Sequence, residues 1–305
     1  MAAVTAAMVK ELREMTGAGM MDCKKALANT DGDMDKAVEY LRENGMAKAA
    51  KKAGRIAAEG IVKTVVEGTK AAIVEVNSET DFVAKNADFN AYVEDVAAQA
   101  LTTKAADIDA FLAESWNKDS SKTVADALAG QIAVIGENLK IRRFAQLEEA
   151  NGFIASYIHM GGKIGVLVDV ETDVVNPAIE EMARNVAMQA AALKPMYTNR
   201  DEVDADYIAK ETEIITAAAK NEKPDANDKI IEGMVKGRIN KELKEICLLD
   251  QTYVKAEDGK QSVAKYLESV SKDLKITKMI RFEVGEGMEK KQEDFAAEVA
   301  AQMNA

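Results

Sequence analysis

The 305-residue sequence is 48% apolar and carries 40 Lys and Arg against 52 Asp and Glu, a formal net charge of −12. That apolar content excludes a chain disordered throughout and supports two or three core-bearing units. The acidic balance repels a polyanion such as RNA at long range, so the expected partner is a protein and not a nucleic acid.

In chain order, Thr5 caps a first helix whose Met8, Leu12 and Met15 share one face, with Gly17 and Gly19 ending it. A second helix spans about 21–28 with Leu27 inward, and 29–32 is a turn. Asp33 then caps a third helix with a stripe of Ala37, Val38 and Leu41, closed by Gly45. Three helices in under ~50 residues make a module too small to be robust unless it docks on something. Lys48, Lys51, Lys52 and Arg55 among alanines at 46–55 read as a connecting helix or linker with a solvated face, which the acidic whole favours over a nucleic-acid patch.

Beyond Gly60 the periodicity becomes extended. Residues 61–66 and 71–76, with a turn at 67–69, predict a β-hairpin, followed by a helix over about 83–101. The order recurs: strands at 153–157 and 164–170 flank a turn at 160–162, and a helix follows over 178–193. The junctions match as well. Val74-Glu75-Val76 precedes Glu79-Thr80-Asp81-Phe82-Val83, and Val168-Asp169-Val170 precedes Glu171-Thr172-Asp173-Val174-Val175. This alignment gives the first copy two extra residues, Asn77 and Ser78, and sets Phe82 opposite Val174. Tyr207, Ile208, Ile214, Ile215 and Ala218 mark a helix, Pro224 breaks it, and Ile230, Ile231, Met234, Val235 and Ile239 mark another, which together predict a helical hairpin. A helix at 262–270, a strand at 276–284 and a final helix from Glu293, with Phe295, Ala296, Val299 and Ala300, complete the reading.

The search for reactive chemistry returns absences. Cys23 and Cys247 lie far apart, without Cys-x-x-Cys spacing, and fit small buried thiols in a reducing cytosol. No stretch reaches the ~18 to 20 apolar residues of a membrane span, and an amphipathic helix starts without a leader segment, so the expected location is cytoplasmic with no membrane association. The single histidine, His159, has no nucleophile signature beside it, and H-E-x-x-H and G-x-S-x-G are absent. Gly161-Gly162-Lys163 lacks the spacing of a phosphate loop and reads as a hairpin turn. Asp31-Gly32-Asp33-Met34-Asp35 would need Gly and Glu where Lys36 and Arg42 stand to hold calcium. One Trp, seven Tyr and seven Phe make a poor stacking platform for single-stranded nucleic acid. The expectation is a binding protein, not an enzyme, with no metal and no cofactor. Two rivals stand against it: a three-helix module that captures ubiquitin-like or peptide ligands, which explains nothing beyond Gly45, and a carboxylate-based or metal-dependent enzyme, for which the spacing shows no clustered ligands.

Two long motifs carry a resemblance. Thr16-Gly17-Ala18-Gly19-Met20-Met21-Asp22-Cys23-Lys24-Lys25-Ala26-Leu27 and Thr80-Asp81-Phe82-Val83-Ala84-Lys85-Asn86 resemble the N-terminal and central signatures of the elongation factor Ts family. Ile135-Gly136-Glu137-Asn138, the run from Gly152 to His159, Ile164-Gly165-Val166-Leu167-Val168, and Arg281-Phe282-Glu283-Val284-Gly285-Glu286-Gly287 extend the similarity over nearly the whole chain. One departure is local: Gln251-Thr252-Tyr253-Val254 stands where many members have Gln-Pro-Phe-Val.

The resemblance implies an α+β fold with four parts: a ubiquitin-associated-like three-helix docking module (1–53), a core N-terminal half (54–148), a core C-terminal half (149–284) with a coiled-coil hairpin inserted at about 200–243, and a C-terminal docking module (285–305). It implies nucleotide exchange on the GTPase elongation factor Tu, in a complex that admits a homodimer or a heterotetramer. It assigns displacement of the GTPase's Mg²⁺ ligands to Thr80, Asp81, Phe82 and Val83, and docking to Arg13, Met20, Met21, His159, Tyr253 and Val254. Without it, Asp81 reads as a helix cap, Phe82 as a core aromatic, Met20 and Met21 equally as core or contact, and His159 as a satisfied hairpin residue.

Overall fold

The computed structural model describes residues 4–289. The expected final helix from Glu293 and most of the expected 285–305 module lie outside the described residues. The first three helices are α1 (Ala6–Thr16), α2 (Met20–Asn29) and α3 (Met34–Lys52). Thr5 Oγ1 accepts the Met8 N–H and Asp33 Oδ1 the Lys36 N–H, so both caps act as expected. Gly17, at φ 67°, closes α1 by donating its N–H to the Arg13 carbonyl. Val9, Leu12, Cys23, Ala26, Leu27 and Ala37 form a small core. Met15, expected on the same face as Leu12, is exposed, because three short helices enclose only a narrow stripe.

Helix α3 does not stop at Gly45. It continues to Lys52 because its second half packs on α7 (Val124–Ile135). An ideal Cβ at Gly45 would lie 3.6 Å from the Ala129 carbonyl oxygen and 3.7 Å from Ala133 Cβ, at ordinary van der Waals contact, so this position sits directly against α7 with room for a methyl and no more. Arg42 pairs with Asp126, and the Lys52 ammonium donates to the Gly136 carbonyl at the far end of α7. Tertiary contact thus outweighs the break that a glycine suggests.

The core begins with β1 (Glu59–Glu67), β2 (Lys70–Ser78), a one-turn helix α4 (Asp81–Ala84) and α5 (Ala87–Thr102). A segment that the periodicity left unread follows: α6 (Ile108–Ala113), β3 (Ser115–Trp116), β4 (Asp119–Thr123) and α7. Strand β5 (Lys140–Glu148) then completes an antiparallel sheet of order β1-β2-β5. The second half has β6 (Gly152–His159), β7 (Ile164–Glu171) and α8 (Pro177–Leu193). The inserted helices α9 (Ala205–Glu222) and α10 (Asp228–Ile246) come next, then α11 (Val263–Val270) and β8 (Lys275–Glu283), giving a sheet of order β6-β7-β8.

Alternation along the strands builds four layers. Ala72, Val74 and Val76 face α5, and Val166, Val168 and Val170 face α8. The opposite faces meet through Val62, Ile73, Ile154, Leu167 and Phe282, which join the two sheets. At Gly165 an ideal Cβ would sit 2.4 Å from Val62 Cγ1, so only glycine permits this approach.

The repeat is real, but its alignment differs from the expected one. Both central strands are irregular at the same place, between Glu75 and Val76 and between Asp169 and Val170. The Ser78 and Thr172 hydroxyls each donate to a carbonyl two residues on, that of Thr80 and that of Val174, at 3.0 Å in both cases. Asn86 and Asn176 both cap the following helix by accepting two N–H groups. Matching strand ends and caps in this way leaves the four residues of α4 as the excess of the first half. Val174 therefore corresponds to Thr80, and Phe82 has no counterpart. The Asn86 cap also divides the helix expected over 83–101 into α4 and α5.

Glu75 is fully buried between the halves. Its carboxylate accepts from Arg142 Nη1 at 2.9 Å, Arg143 Nε at 2.6 Å, Asn77 Nδ2 at 3.1 Å and the Gly285 N–H at 2.8 Å. The Arg143 guanidinium also lies 4.2 Å over the Phe282 ring. The 281–287 motif is thus tied to the first sheet. Its counterpart Asp169 has no arginine. One oxygen accepts from Thr277 Oγ1 at 2.8 Å and the other is buried without a partner, so burial, reinforced by Glu149 and Glu171, raises this carboxyl to about 6.

Candidate partner-binding site

Helix α4 is too short to be stable alone, and the chain fixes it from outside. Thr80 Oγ1 accepts the Val83 N–H at 3.4 Å and donates to Glu137 Oε1 at 2.7 Å. Glu137 Oε2 accepts the N–H groups of Glu79 and Thr80 at 3.1 and 3.0 Å. The arrangement is reciprocal, since the Glu79 carboxylate accepts the Asn138 N–H at 2.6 Å, and the Asn138 side chain donates to the Arg55 carbonyl at 2.8 Å. Thr80, not Asp81, is the cap.

Against this frame the four residues separate clearly. Phe82 is 81% exposed, the highest value among the large apolar side chains of the described residues, and is not a core aromatic. Asp81, half-buried, accepts from the Lys85 ammonium at 2.6 Å; that bond, with the charges of Lys85 and Lys163, holds its carboxyl below the ordinary value. Val83 is half-buried against the core and Ala84 is buried, so the turn is anchored on one side and presents its aromatic on the other. Val174 is also exposed, at 58%, so exposure alone does not distinguish the halves as the sequence alignment suggests.

His159 ends β6, and its Nδ1 lies 3.0 Å from the Tyr157 hydroxyl. The turn after it exposes Met160 at φ 50° and packs Gly162 against Ile61 of β1. Lys163 pairs with Glu59 at the start of β1 and contributes to the field at Asp81. The fold thus gathers Thr80–Val83 and the His159 turn around the start of β1, although nearly eighty residues separate them in sequence.

The remaining predicted residues sit on other elements. Arg13, Met20 and Met21 are exposed on the N-terminal module. Tyr253 is a core residue, stacked on Tyr266 with ring centroids 4.0 Å apart, and burial raises its phenol. Of that pair only Val254 offers its side chain to solvent, while its N–H donates to Gln189 Oε1. Glu79 and Glu137 have no role legible in the sequence: they lie 58 residues apart, and although both stand in quoted motifs, nothing but the capping pattern from Thr80 to Val83 hints that this turn needs support.

Among the described residues no group of three or more His, Cys, Asp or Glu side chains could hold a metal ion, and no helix is long and apolar enough to cross a membrane. Both thiols are free and buried; burial raises that of Cys23 and pushes that of Cys247 up to about 11, which keeps them protonated and poorly nucleophilic.

The family described as Elongation factor TS matches residues 79–286. Elongation factor Ts of Clostridioides difficile (strain 630) is 55% identical over 307 aligned positions, covering 99% of this chain and 100% of that protein. The proteins of the same name from Clostridium tetani (strain Massachusetts / E88) and Clostridium botulinum (strain Eklund 17B / Type B) are 52% and 51% identical, each covering 98% of this chain and 99% of the relative. Both signature segments thus fall within full-length similarity, and the chain belongs to the elongation factor Ts family of translation elongation factors.

Proposed function

We propose that this protein is a guanine-nucleotide exchange factor: it binds elongation factor Tu carrying GDP, disturbs the Mg²⁺ site of that GTPase with the 80–83 turn, and so releases GDP for GTP to enter. The observation that carries the reading is Phe82, an aromatic held almost fully in solvent on an anchored turn. An exposed Phe gains nothing for its own fold; its apolar area is recovered only when a partner covers it. Mg²⁺ bridges nucleotide phosphates and protein oxygens in a strict octahedral shell, so a wedge that shifts those ligands weakens nucleotide binding without covalent chemistry. The protein acts as a ligand of the GTPase and not as an enzyme, in the cytoplasm where translation elongation runs.

The same reading divides the labour. The 1–53 module docks through Arg13, Met20 and Met21, His159 lies beside the wedge, and Val254 touches a second region of the GTPase, with Tyr253 shaping that loop from beneath. Linkage requires that a factor which expels nucleotide be expelled by nucleotide. The test is a titration of the purified chain into elongation factor Tu in nucleotide-free and GDP-bound forms. Affinity for the nucleotide-free form should be higher by about a hundredfold or more, and excess GDP should dissociate the complex. Equal affinity for both forms would contradict exchange activity, and no binding to either would contradict the partner.

A further inference from the structure

Glu137 touches no exposed face of the 80–83 turn, yet with Glu79 it ties the residues that open α4 to the loop after α7, beside the local bond from the Ser78 hydroxyl to the Thr80 carbonyl. Its two oxygens take the N–H groups of Glu79 and Thr80 and the Thr80 hydroxyl proton. Because that proton points at Glu137, the Thr80 hydroxyl is left with its lone pair toward the Val83 N–H, which is the cap. Glu79 returns the favour at Asn138, and Gly136, in the left-handed conformation at φ 86°, turns the chain out of α7 and sets Glu137 at the clamp. Two carboxylates thus cross-brace two loops through charge-assisted bonds to backbone amides, which are stronger and more directional than neutral ones. Four helical residues cannot hold their own geometry, and the second half of the molecule, which lacks α4, has no such brace among its described hydrogen bonds at Val174.

We propose that Glu137 is a positioning residue for nucleotide exchange, and that the Glu137–Thr80 and Glu79–Asn138 clamp keeps Phe82 preorganised for entry into the GTPase. This inference rests on the exchange reading given above. Preorganisation matters because a turn that must order on binding subtracts that cost from the energy available to displace nucleotide. Glu137→Ala frees the turn, whereas Glu137→Gln keeps one carbonyl oxygen for the two amides and an NH₂ that can donate to one lone pair of the Thr80 hydroxyl, leaving the other lone pair for the Val83 N–H, so it should restore most of the function.

The experiment is a double-mutant cycle on the full chain, measuring release of a fluorescent GDP analogue from elongation factor Tu at saturating factor for E137A, E137Q, F82A and E137A/F82A. Hydrogen exchange of the 79–83 amides is followed in the free factor alongside. Expected are a limiting release rate about tenfold or more lower for E137A, near-parent release for E137Q, faster exchange of the 79–83 amides in E137A, and a double mutant no slower than F82A. If F82A slows release but E137A does not, or if the two losses simply add, the positioning role is overturned while the wedge stands. If F82A itself leaves release at the parent rate, the exchange reading of the turn fails first. Should E137A unfold globally, T80V reports on the same cap with Glu137 intact; parent-rate release by folded T80V would also overturn the proposal.

Discussion

Phe82 and Asp169 are two side chains whose placement the fold does not explain by its own stability. Phe82 leaves its ring in water; Asp169 is a carboxylate in the seam between the halves, where Glu75 finds two arginines and it finds only Thr277, facing Glu149, Glu171 and the Lys275 that pairs with Glu171. A folded-state carboxyl at about 6, above an unfolded value of about 4, binds its proton more tightly in the native protein. Its contribution is therefore fully favourable below about pH 4 and is lost as pH rises through about 6. Asp169→Asn keeps the acceptor for Thr277 and removes the charge, so denaturant unfolding at pH 7 should show it more stable than the parent by about 1–2 kcal/mol, with the gap closing toward pH 4. An unchanged difference across that range would mean the carboxyl is not strained by burial. Sequence identified Phe82 only through motif similarity; its local pattern reads as core. Asp169 looked like one more strand residue, because its missing partner is a fact of tertiary contact.

Among the elements, those legible in the sequence are those with a clean period or a clear cap: the three N-terminal helices, the two hairpins, α8, the inserted helices, α11 and β8. The misses are equally physical. Residues 102–148 carry α6, α7 and three strands, two of them very short, whose burial comes from packing on α5 and α3 rather than from a repeating pattern. Gly45 reads as a stop by propensity, yet it is the contact point of α3 with α7. The geometry there gives a sharp contrast. A single added methyl meets its neighbours at ordinary van der Waals distance and removes backbone freedom from the unfolded chain, so Gly45→Ala should stabilise by about 0.5–1 kcal/mol. Gly45→Val adds methyls with nowhere to go and should destabilise by about 1–3 kcal/mol. Thermal unfolding of the pair checks both signs; a neutral valine would mean that the helices do not close at this point.

At the scale of the whole molecule, two related halves stack their sheets: α4, where the wedge is proposed, is added to the first, and the α9–α10 hairpin is inserted in the second. The hairpin packs chiefly on itself, α9 against α10. Its own core is small, formed by Ala219, Ile231 and Val235, and its two ends are held together at the base, where the Met196 and Tyr197 N–H groups donate to the Ile246 carbonyl. Replacing residues 200–243 by a short linker should therefore leave the four layers folded and basal GDP release intact, with any loss confined to affinity or self-association. Abolished release by the folded deletion variant would place the active surface on the hairpin instead.

In the proposed exchange, an exposed aromatic on a braced turn does the work. Stopped-flow release of a fluorescent GDP analogue from elongation factor Tu, run for the parent and Phe82→Ala at saturating concentration beside thermal unfolding of each free factor, tests it most directly. At 81% exposure the ring contributes little to the fold, so unfolding should shift by no more than about 0.5 kcal/mol while the limiting release rate falls at least about tenfold. A variant that loses the ~3–5 kcal/mol typical of a buried Phe, yet releases GDP at the parent rate while folded, would contradict the account.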